Sequence, residues 1–273
     1  HLVRLGPPDP APRARPFVFV RALNFELTHG CNLACSHCLQ EAIRPTGAWP
    51  WLDAAASLRT LADAAALGLT QTGVNFTGGE VFSRGSPLLA LLDATQTLAI
   101  PTRVNTNAWW GLQSSITVGE RIFADDAEIL AALRQRGLGR LALSLDDRYE
   151  QYPHLLDRLI RVACLCEEAG QDYEVVATEP RPEIARTATH HLHQALGRKP
   201  RHLHLTPMEM VDIGGAAPSG RRTLDPAYLP ALVRSAPCAT AGFHRPYYLH
   251  VGPDGGLRSC LYAPAAGWLG NVV

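Results

Sequence analysis

Short apolar runs alternate with longer segments of helical periodicity along most of this chain. The runs that predict strands cover residues 22–27, 74–77, 101–107, 141–145, 173–178 and 202–206. The segments that predict helices cover residues 51–68, 88–98, 126–136, 155–169 and 182–196. Strands that alternate regularly with helices of this length imply right-handed crossovers and a parallel sheet. We therefore predict an α/β fold, in the form of a partial (β/α)6 barrel.

The two ends of the chain break this alternation. Residues 1–16 are rich in proline and arginine, which predicts an extended lead-in without helix potential. Near the other end, residues 247–251, the turn Pro253-Asp254-Gly255 and residues 256–260 predict a β-hairpin. We expect three parts: an extended lead-in over 1–21, the partial barrel over 22–215 and a small C-terminal hairpin extension over 216–273.

Composition and charge narrow the classes of protein to consider. A hydrophobic fraction of 47% with 18% charged residues is typical of a globular chain. The formal net charge of zero gives no support for a nucleic-acid or membrane partner, and neither a signal peptide nor a membrane-spanning run stands out. The seven cysteines are an odd number with three in one loop, so we expect thiols in a reducing cytoplasm rather than a disulfide framework.

Three of the cysteines follow the first predicted strand at C-x3-C-x2-C spacing. They are Cys31, Cys35 and Cys38. Soft thiolates select iron–sulfur clusters, zinc or cuprous copper, and three of them leave one iron of a 4Fe-4S cluster open to a substrate or cofactor. A structural zinc site with His29 or His37 as the fourth ligand is an alternative, and so is a set of free core thiols.

Polar residues recur where the other predicted strands end, which is the edge at which a parallel sheet places its site. Glycines after the second strand let the backbone approach a ligand closely, and a carboxylate beside them can accept bonds from an amino group. The residues concerned are Gly78, Gly79, Glu80, Asn105, Asn107, Ser144, Asp146 and Thr178. A plain turn at the glycines, and backbone capping by the serine and asparagines, are the alternatives.

The cysteine spacing and the Gly78-Gly79-Glu80 sequence together resemble the radical S-adenosylmethionine (SAM) superfamily, over nearly the whole chain from about residue 22. The resemblance implies that Cys31, Cys35 and Cys38 bind a 4Fe-4S cluster whose open iron SAM chelates. One electron then cleaves SAM to methionine and a 5′-deoxyadenosyl radical, which abstracts hydrogen from a substrate. The family usually has proline where Val81 stands here.

The same resemblance assigns SAM contacts to residues of this chain. It implies that Gly78, Gly79 and Glu80 hold the amino group of SAM. His37 stands where the family usually has an aromatic residue near the adenine, and Ser144 resembles the position that contacts the ribose or carboxylate of SAM. Asn107, like Asn105, is a candidate donor in the same pocket.

The C-terminal cysteines resemble the start of the SPASM or twitch extension of many radical SAM enzymes. Cys238, the predicted hairpin, Cys260 and residues 269–271 carry this resemblance, which implies an auxiliary 4Fe-4S cluster. Further ligands would have to come from His244, His250, additional chain or the substrate. A degenerate extension that keeps the hairpin without a cluster is the alternative. Cys164 and Cys166 point in different directions on one helix, and we predict that they are buried core thiols.

Members with such an extension commonly modify ribosomally made peptides (RiPPs) or oxidise small alcohols and sugars. We expect a role in peptide or natural-product maturation, with a small-molecule alcohol or sugar dehydrogenase as the alternative and a non-catalytic metal-binding protein as the competing class. The expected partners are a peptide or small-molecule substrate and an electron donor such as flavodoxin or ferredoxin. Residues 1–16 leave no room for a leader-binding domain. For a peptide substrate we therefore expect a further partner, a separate leader-peptide-binding protein. Candidate acid/base residues are Asp146, Glu174, His204 and Glu209.

Overall fold

The computed structural model of the chain describes residues 2–3, 18–19, 22–35, 38, 50–145, 151–152, 154–178, 182–208, 248–258 and 268–272. Its helices are α1 (Ala54–Ala66), α2 (Leu88–Thr97), α3 (Asp126–Gln135), α4 (His154–Ala169) and α5 (Pro182–Leu196). Its strands are β1 (Leu2–Val3), β2 (Val18–Phe19), β3 (Ala22–Glu26), β4 (Gly73–Thr77), β5 (Thr102–Thr106), β6 (Ser114–Val118), β7 (Arg121–Asp125), β8 (Arg140–Leu145), β9 (Tyr173–Thr178), β10 (Leu203–Met208), β11 (Tyr248–Val251), β12 (Gly256–Arg258) and β13 (Trp268–Asn271).

Six strands form a parallel array in the order β10-β9-β8-β5-β4-β3. A helix separates each of these strands from the next along the chain, which confirms the predicted α/β fold and partial barrel. Every strand and helix predicted between residues 22 and 206 is present, with ends that differ by no more than three residues. The strands form here because their alternate apolar side chains, such as Leu23 and Phe25 of β3, are fully buried in one core with the helices.

Helix α1 begins later than the periodicity predicted. Asp53 is its N-cap rather than part of its first turn, and the Asp53 carboxylate accepts a hydrogen bond from the backbone N–H of Ala56 at 2.6 Å. Trp51 and Leu52 therefore precede the helix. The backbone N–H of Leu52 instead donates to the carbonyl of Leu27 at 2.8 Å, which ties the start of α1 to the end of β3.

The C-terminal hairpin extends the barrel sheet. Strand β11 pairs with β12 in the predicted antiparallel hairpin, and β12 pairs with β13. Strand β11 also runs parallel to β3, with His250 opposite Asn24, so the main sheet of the described residues has nine strands. The division of the chain into parts 1–21, 22–215 and 216–273 stays a prediction.

A second antiparallel hairpin, β6–β7, lies between β5 and α3 and was not predicted. Its turn contains Gly119, which has a positive φ of 61° and lies so close to Ser86 that an added Cβ would stand 2.9 Å from the Ser86 carbonyl oxygen. Residues Ile116, Val118 and Phe123 anchor the hairpin in the main core.

The inner face of the sheet, opposite the helices, carries a row of polar side chains. Successive residues of a strand point to opposite faces, so the residues between the core positions share this inner face. Strand register places His250, Asn24, Asn75 and Arg103 side by side, and Glu174 beside His204. We call these six side chains the inner-face row.

Cysteines of helix α4 contribute to packing. Cys166 is buried as predicted, whereas Cys164 is only half-buried and packs against the edge of the same core. Burial raises the pKa of both thiols, and the neighbouring charges of Glu168 and Glu167 add to the effect. Within the described residues, every helix is too short or too polar to pass through a lipid bilayer.

Candidate functional site

The cysteine loop starts where β3 ends, and its first residues are held by hydrogen bonds to neighbouring segments. The backbone N–H of Leu27 donates to the carbonyl of Thr77 at 2.8 Å, which continues the pairing of β3 with β4. The Thr28 hydroxyl donates to the carbonyl of Pro50 at 2.9 Å and accepts from the N–H of Gly30 at 3.0 Å. The loop therefore leaves the sheet in a fixed direction, at the edge where parallel strands of such folds place their sites.

The three cysteines of this loop form no disulfide with another described cysteine. Cys31 is buried, Cys35 and Cys38 are half-buried, and the N–H of Cys38 donates to the carbonyl of Cys35 at 3.2 Å. Tyr152 packs against this part of the loop and accepts a hydrogen bond from the N–H of Ala34 at 3.0 Å. In the part of the chain that the structure describes, no three Cys, His, Asp or Glu side chains converge closely enough to form a metal site.

Two hydrogen-bond donors point toward the sulfur of Cys31. The backbone N–H of Leu33 and the side-chain amide of Asn107 both donate toward Cys31 Sγ, at 3.4 Å and 3.7 Å. Donors of this kind stabilise a thiolate and are a common feature of iron–sulfur sites. The loop thus fits a cluster by its donor set and by the hydrogen bonds to one of its sulfurs. His29, the alternative ligand for zinc, is largely exposed and lies 3.7 Å from the Glu26 carboxylate.

The turn at Gly78-Gly79-Glu80 packs directly on the backbone of the cysteine loop. The N–H of Gly79 donates to the Thr28 carbonyl and the N–H of Glu80 to the Gly30 carbonyl, both at 2.7 Å. A Cβ on Gly79 would lie 1.8 Å from the Gly30 oxygen, and one on Gly78 would lie 2.4 Å from the Thr28 oxygen. This contact accounts for glycine at both positions, whereas the sequence suggested only close approach to a ligand.

The Glu80 carboxylate points toward the end of β5. It is almost completely buried and accepts hydrogen bonds from the backbone N–H of Phe82 at 3.0 Å and of Asn107 at 2.9 Å. The Thr106 hydroxyl donates to the same carboxylate. Sequence reasoning missed Thr106, for which the one available signal was a hydroxyl between two candidate asparagines. Val81, where the resemblance leads us to expect proline, is buried in the main core.

Asn107 links the Gly-Gly-Glu turn to the cysteine loop. Its side-chain oxygen accepts from the N–H of Trp109 at 2.9 Å, and its side-chain nitrogen donates to Asn32 Oδ1 at 2.9 Å and toward Cys31 Sγ.

Of the other predicted site residues, Asn105 lies apart from this group. The side chain of Asn105 accepts a hydrogen bond from Arg103 in the inner-face row. Ser144 is half-buried on β8, and Thr178 ends β9. Several predicted site residues lie outside the described residues: His37, Asp146, Glu209, Cys238, His244 and Cys260.

Two of the acid/base candidates, Glu174 and His204, are among the described residues. Glu174 belongs to a network of charges, and His204 lies beside it. Arg103 Nε donates to Glu174 Oε2 at 2.7 Å, and the Arg103 guanidinium also donates to Asn75 at 2.9 Å. Burial alone would raise the pKa of the Glu174 carboxyl, but hydrogen bonds from Arg103 and Thr206 and the charge of Arg103 hold it below its ordinary value. His204 Nε2 lies 3.5 Å from the Arg140 guanidinium.

His250 enters the inner-face row from the C-terminal extension. Burial, with the positive charge of Arg258 as a second cause, lowers the pKa of this imidazole to about 4. The ring is therefore neutral at neutral pH, which is the form in which a histidine can act both as a donor and as an acceptor.

Comparison with known proteins gives one family match. A family model for the radical SAM superfamily matches residues 25–170, somewhat more than half of the chain. No curated protein sequence matches significantly. The crystal structure of BtrN in complex with AdoMet and 2-DOIA is similar, at 11% identity and a TM-score of 0.48 over 93% of this chain and 78% of that chain. HydG, a maturase of the FeFe-hydrogenase, is similar at 15% identity and a TM-score of 0.47, over 73% of this chain and 45% of that chain.

Proposed function

Because the chain belongs to the radical SAM superfamily, we propose that Cys31, Cys35 and Cys38 hold a 4Fe-4S cluster and that the Gly78–Glu80 turn positions SAM beside it. Membership of the superfamily implies cleavage of SAM by radical chemistry at an iron–sulfur cluster. When bound, the cluster supplies the electron that cleaves SAM to methionine and a 5′-deoxyadenosyl radical, which removes a hydrogen atom from the substrate.

One observation carries this assignment to particular residues. The Gly-Gly-Glu turn and the cysteine loop, which are distant in sequence, are joined by two 2.7 Å backbone hydrogen bonds. The segment proposed to orient SAM is thereby fixed on the segment proposed to hold iron. Such preorganisation matters because a reacting group that is misplaced by about 1 Å can cost two orders of magnitude in rate.

The residues of the turn have separate tasks in this proposal. Glu80 is fixed by donors from its own turn and from β5, so its carboxylate adds negative charge beside the ammonium group of SAM without moving. Gly78 and Gly79 allow the turn to lie flat on the Thr28–Gly30 backbone. Asn107 and Ser144, together with His37, remain our candidates for further SAM contacts.

For the substrate we propose a polar molecule of peptide or natural-product maturation. The inner-face row would face a substrate in the barrel, and it offers amide, guanidinium, carboxylate and imidazole groups. A small alcohol or sugar is the second candidate, because its hydroxyl groups match such a lining.

The proposal includes an electron donor such as flavodoxin or ferredoxin in a reducing cytoplasm. It also includes an auxiliary cluster at Cys238 and Cys260 and, for a peptide substrate, a separate leader-binding protein.

The proposal is tested by anaerobic reconstitution of the full chain with iron and sulfide, followed by SAM and dithionite. We expect about four irons per chain for one cluster, about eight if the auxiliary cluster forms, and 5′-deoxyadenosine as a product. Cys35→Ala should lose both the iron of this loop and the nucleoside. Cys164→Ala, another half-buried cysteine, is the matched control and should keep both. Bound zinc without nucleoside would contradict the proposal.

A second measurement separates the two substrate classes. Nucleoside formation is measured after addition of the small-molecule fraction or the peptide fraction of a cell extract. Stimulation by the small-molecule fraction supports an alcohol or sugar substrate, and stimulation by the peptide fraction supports peptide maturation. The Cys35→Ala variant serves as the blank for both fractions.

A further inference from the structure

Asn107 stands between the two parts of the proposed site. It follows β5 directly and is 4% exposed. Its backbone N–H donates to Glu80 Oε2 at 2.9 Å, and its side-chain nitrogen lies 3.7 Å from Cys31 Sγ. One residue therefore contacts both the turn that would orient SAM and a sulfur that would bind iron.

The orientation of the Asn107 amide follows from its neighbours. The N–H of Trp109 can only donate, and it lies 2.9 Å from Asn107 Oδ1, so this atom must be the oxygen. The opposite atom is the NH2 group, whose partners are acceptors: Asn32 Oδ1 at 2.9 Å and Cys31 Sγ. The two hydrogens of the NH2 group match these two acceptors one to one.

We propose that Asn107 sets the reduction potential of the cluster by donating a hydrogen bond to the sulfur of Cys31. This inference rests on the proposed function, because it requires Cys31 to be an iron ligand. A reduced cluster carries one more negative charge than an oxidised one. A donor that points at a ligand sulfur stabilises that charge and raises the potential.

The proposal makes Asn107 a positioning and tuning residue. The Leu33 N–H donates to the same sulfur at 3.4 Å, but it belongs to the backbone and stays in place for every replacement except proline. Among the described residues, Asn107 is therefore a side chain through which the sequence can adjust the potential. The donor directly follows β5, outside the cysteine loop, so the potential depends on how the loop docks on the sheet.

The test is a redox titration of the full chain, reconstituted with iron and sulfide and monitored by electron paramagnetic resonance without SAM. Asn107→Leu removes the donor at nearly constant size, and Asn107→Asp also adds a negative charge. We expect the midpoint potential to fall in the order wild type, Leu, Asp. The expected drop for Leu is up to about tenfold in the ratio of reduced to oxidised cluster at a fixed potential, which equals 59 mV for one electron.

The matched control is Asn105→Ser, two residues earlier and within β5. Asn105 pairs with Arg103 and not with the cysteine loop, so its replacement should leave the midpoint potential unchanged. If Asn107→Leu takes up a cluster and keeps the wild-type potential, the inference is overturned. If neither Asn107 variant takes up iron, pulsed electron paramagnetic resonance on wild-type protein with 15N-labelled asparagine decides. Because Asn32 follows Cys31 directly and would carry the same label, the measurement is repeated on Asn32→Asp, which keeps an acceptor for Asn107. A nitrogen coupling that persists in this variant supports the hydrogen bond, and its absence overturns it.

Failure of the proposed function gives a different result. A wild-type chain that binds no 4Fe-4S cluster, or that binds one and forms no 5′-deoxyadenosine, contradicts the proposed function before any variant is compared. A wild-type chain that passes both tests while the Asn107 variants keep its potential contradicts only the role of Asn107.

Discussion

The hydroxyl of Thr106 and the carboxylate of Glu80 join the ends of two neighbouring strands. Thr106 Oγ1 lies 2.9 Å from Glu80 Oε1 and 3.1 Å from Oε2, and both side chains are at most 3% exposed. The same hydroxyl accepts hydrogen bonds from the N–H of Ala108 at 3.0 Å and from the indole of Trp110 at 3.2 Å. The Glu80 carboxylate, the Ala108 N–H and the Trp110 indole N–H therefore share one partner, the Thr106 hydroxyl.

We expect Thr106→Val to weaken the Gly-Gly-Glu turn. The change keeps the size of the side chain but removes one of the donors to a buried carboxylate and the acceptor of two buried N–H groups. Each such loss typically costs about 1–3 kcal/mol. The measurements are urea denaturation and SAM-dependent formation of 5′-deoxyadenosine, and both should decline.

Thr102→Val is the control for this prediction. Thr102 lies at the other end of β5, is equally buried, and also joins two segments through its hydroxyl, at Gly137 and Gly139. Its replacement should lower stability by a similar amount while the intact protein still cleaves SAM. Equal losses of nucleoside formation in folded Thr102 and Thr106 variants would show that the contact with Glu80 has no special role.

Gly79→Ala should separate the Gly-Gly-Glu turn from the cysteine loop. The new Cβ would lie 1.8 Å from the Gly30 oxygen, which is backbone and cannot rotate away. Overpacking of this kind costs about 1–3 kcal/mol. We expect the variant to fold and to take up less iron than the wild type, measured as iron per chain after reconstitution.

A glycine of a different kind supplies the comparison. Gly197 has a positive φ of 63° after helix α5, but an added Cβ would meet nothing within 4 Å. Gly197→Ala should therefore cost about 1 kcal/mol through its backbone conformation and leave iron uptake at the wild-type level. Normal iron uptake by Gly79→Ala would mean that the loop moves without loss of its metal site.

The sequence allowed the barrel to be predicted because the apolar periods are local signals. Leu23 and Phe25 on β3 and the helical spacing of α1 each reflect a face that is buried in the same core. The hairpin β6–β7 gave no comparable signal, since only Ile116, Val118 and Phe123 of its strands are buried. Alternation this sparse does not distinguish strands from a polar loop.

Part of the candidate site could also be predicted from local sequence signals. Cys31 and Gly79 belong to short segments whose residue types and spacing have a chemical meaning. The contacts of Thr106 with Glu80, and of Asn107 with Cys31, join residues that are far apart in sequence, and no local pattern encodes them. The pairing of β11 with β3 is also such a contact, because a hairpin does not specify which free sheet edge it will join.

His250 should make stability depend on pH. Burial and the charge of Arg258 lower its pKa from 6.5 to about 4 in the folded chain, so the unfolded chain binds more protons between these values. The contribution is fully present above pH 6.5 and is lost as the pH falls toward 4, by up to about 3 kcal/mol. Urea denaturation of His250→Gln should show a smaller loss over this range than the wild type.

His191→Gln is the matched control, since His191 is an exposed histidine of helix α5. His191→Gln should lose stability as steeply as the wild type when the pH falls from 6.5 toward 4. If the two variants have the same dependence on pH, the imidazole of His250 is not held neutral by its burial.

Arg103 and Glu174 should be energetically coupled across the inner face of the sheet. Their 2.7 Å contact joins β5 to β9, and Glu174 is 8% exposed whereas Arg103 is 30% exposed. Arg103→Met leaves a buried carboxylate without its cation. Because solvent reaches the guanidinium, we expect a cost of about 1–3 kcal/mol, below the value for a fully buried pair.

Glu174→Gln supplies the other half of a double-mutant cycle. Hydrogen bonds and charge hold the pKa of Glu174 below its ordinary value, so the contribution of its carboxylate is present at neutral pH and is lost as the pH falls through that lowered pKa. At neutral pH the double variant Arg103→Met/Glu174→Gln should lose less than the two single variants together, by about 1 kcal/mol. Below the folded pKa of Glu174 the difference should vanish, because a protonated carboxyl no longer needs the cation. Losses that simply add at neutral pH would mean that Arg103 and Glu174 are not energetically coupled.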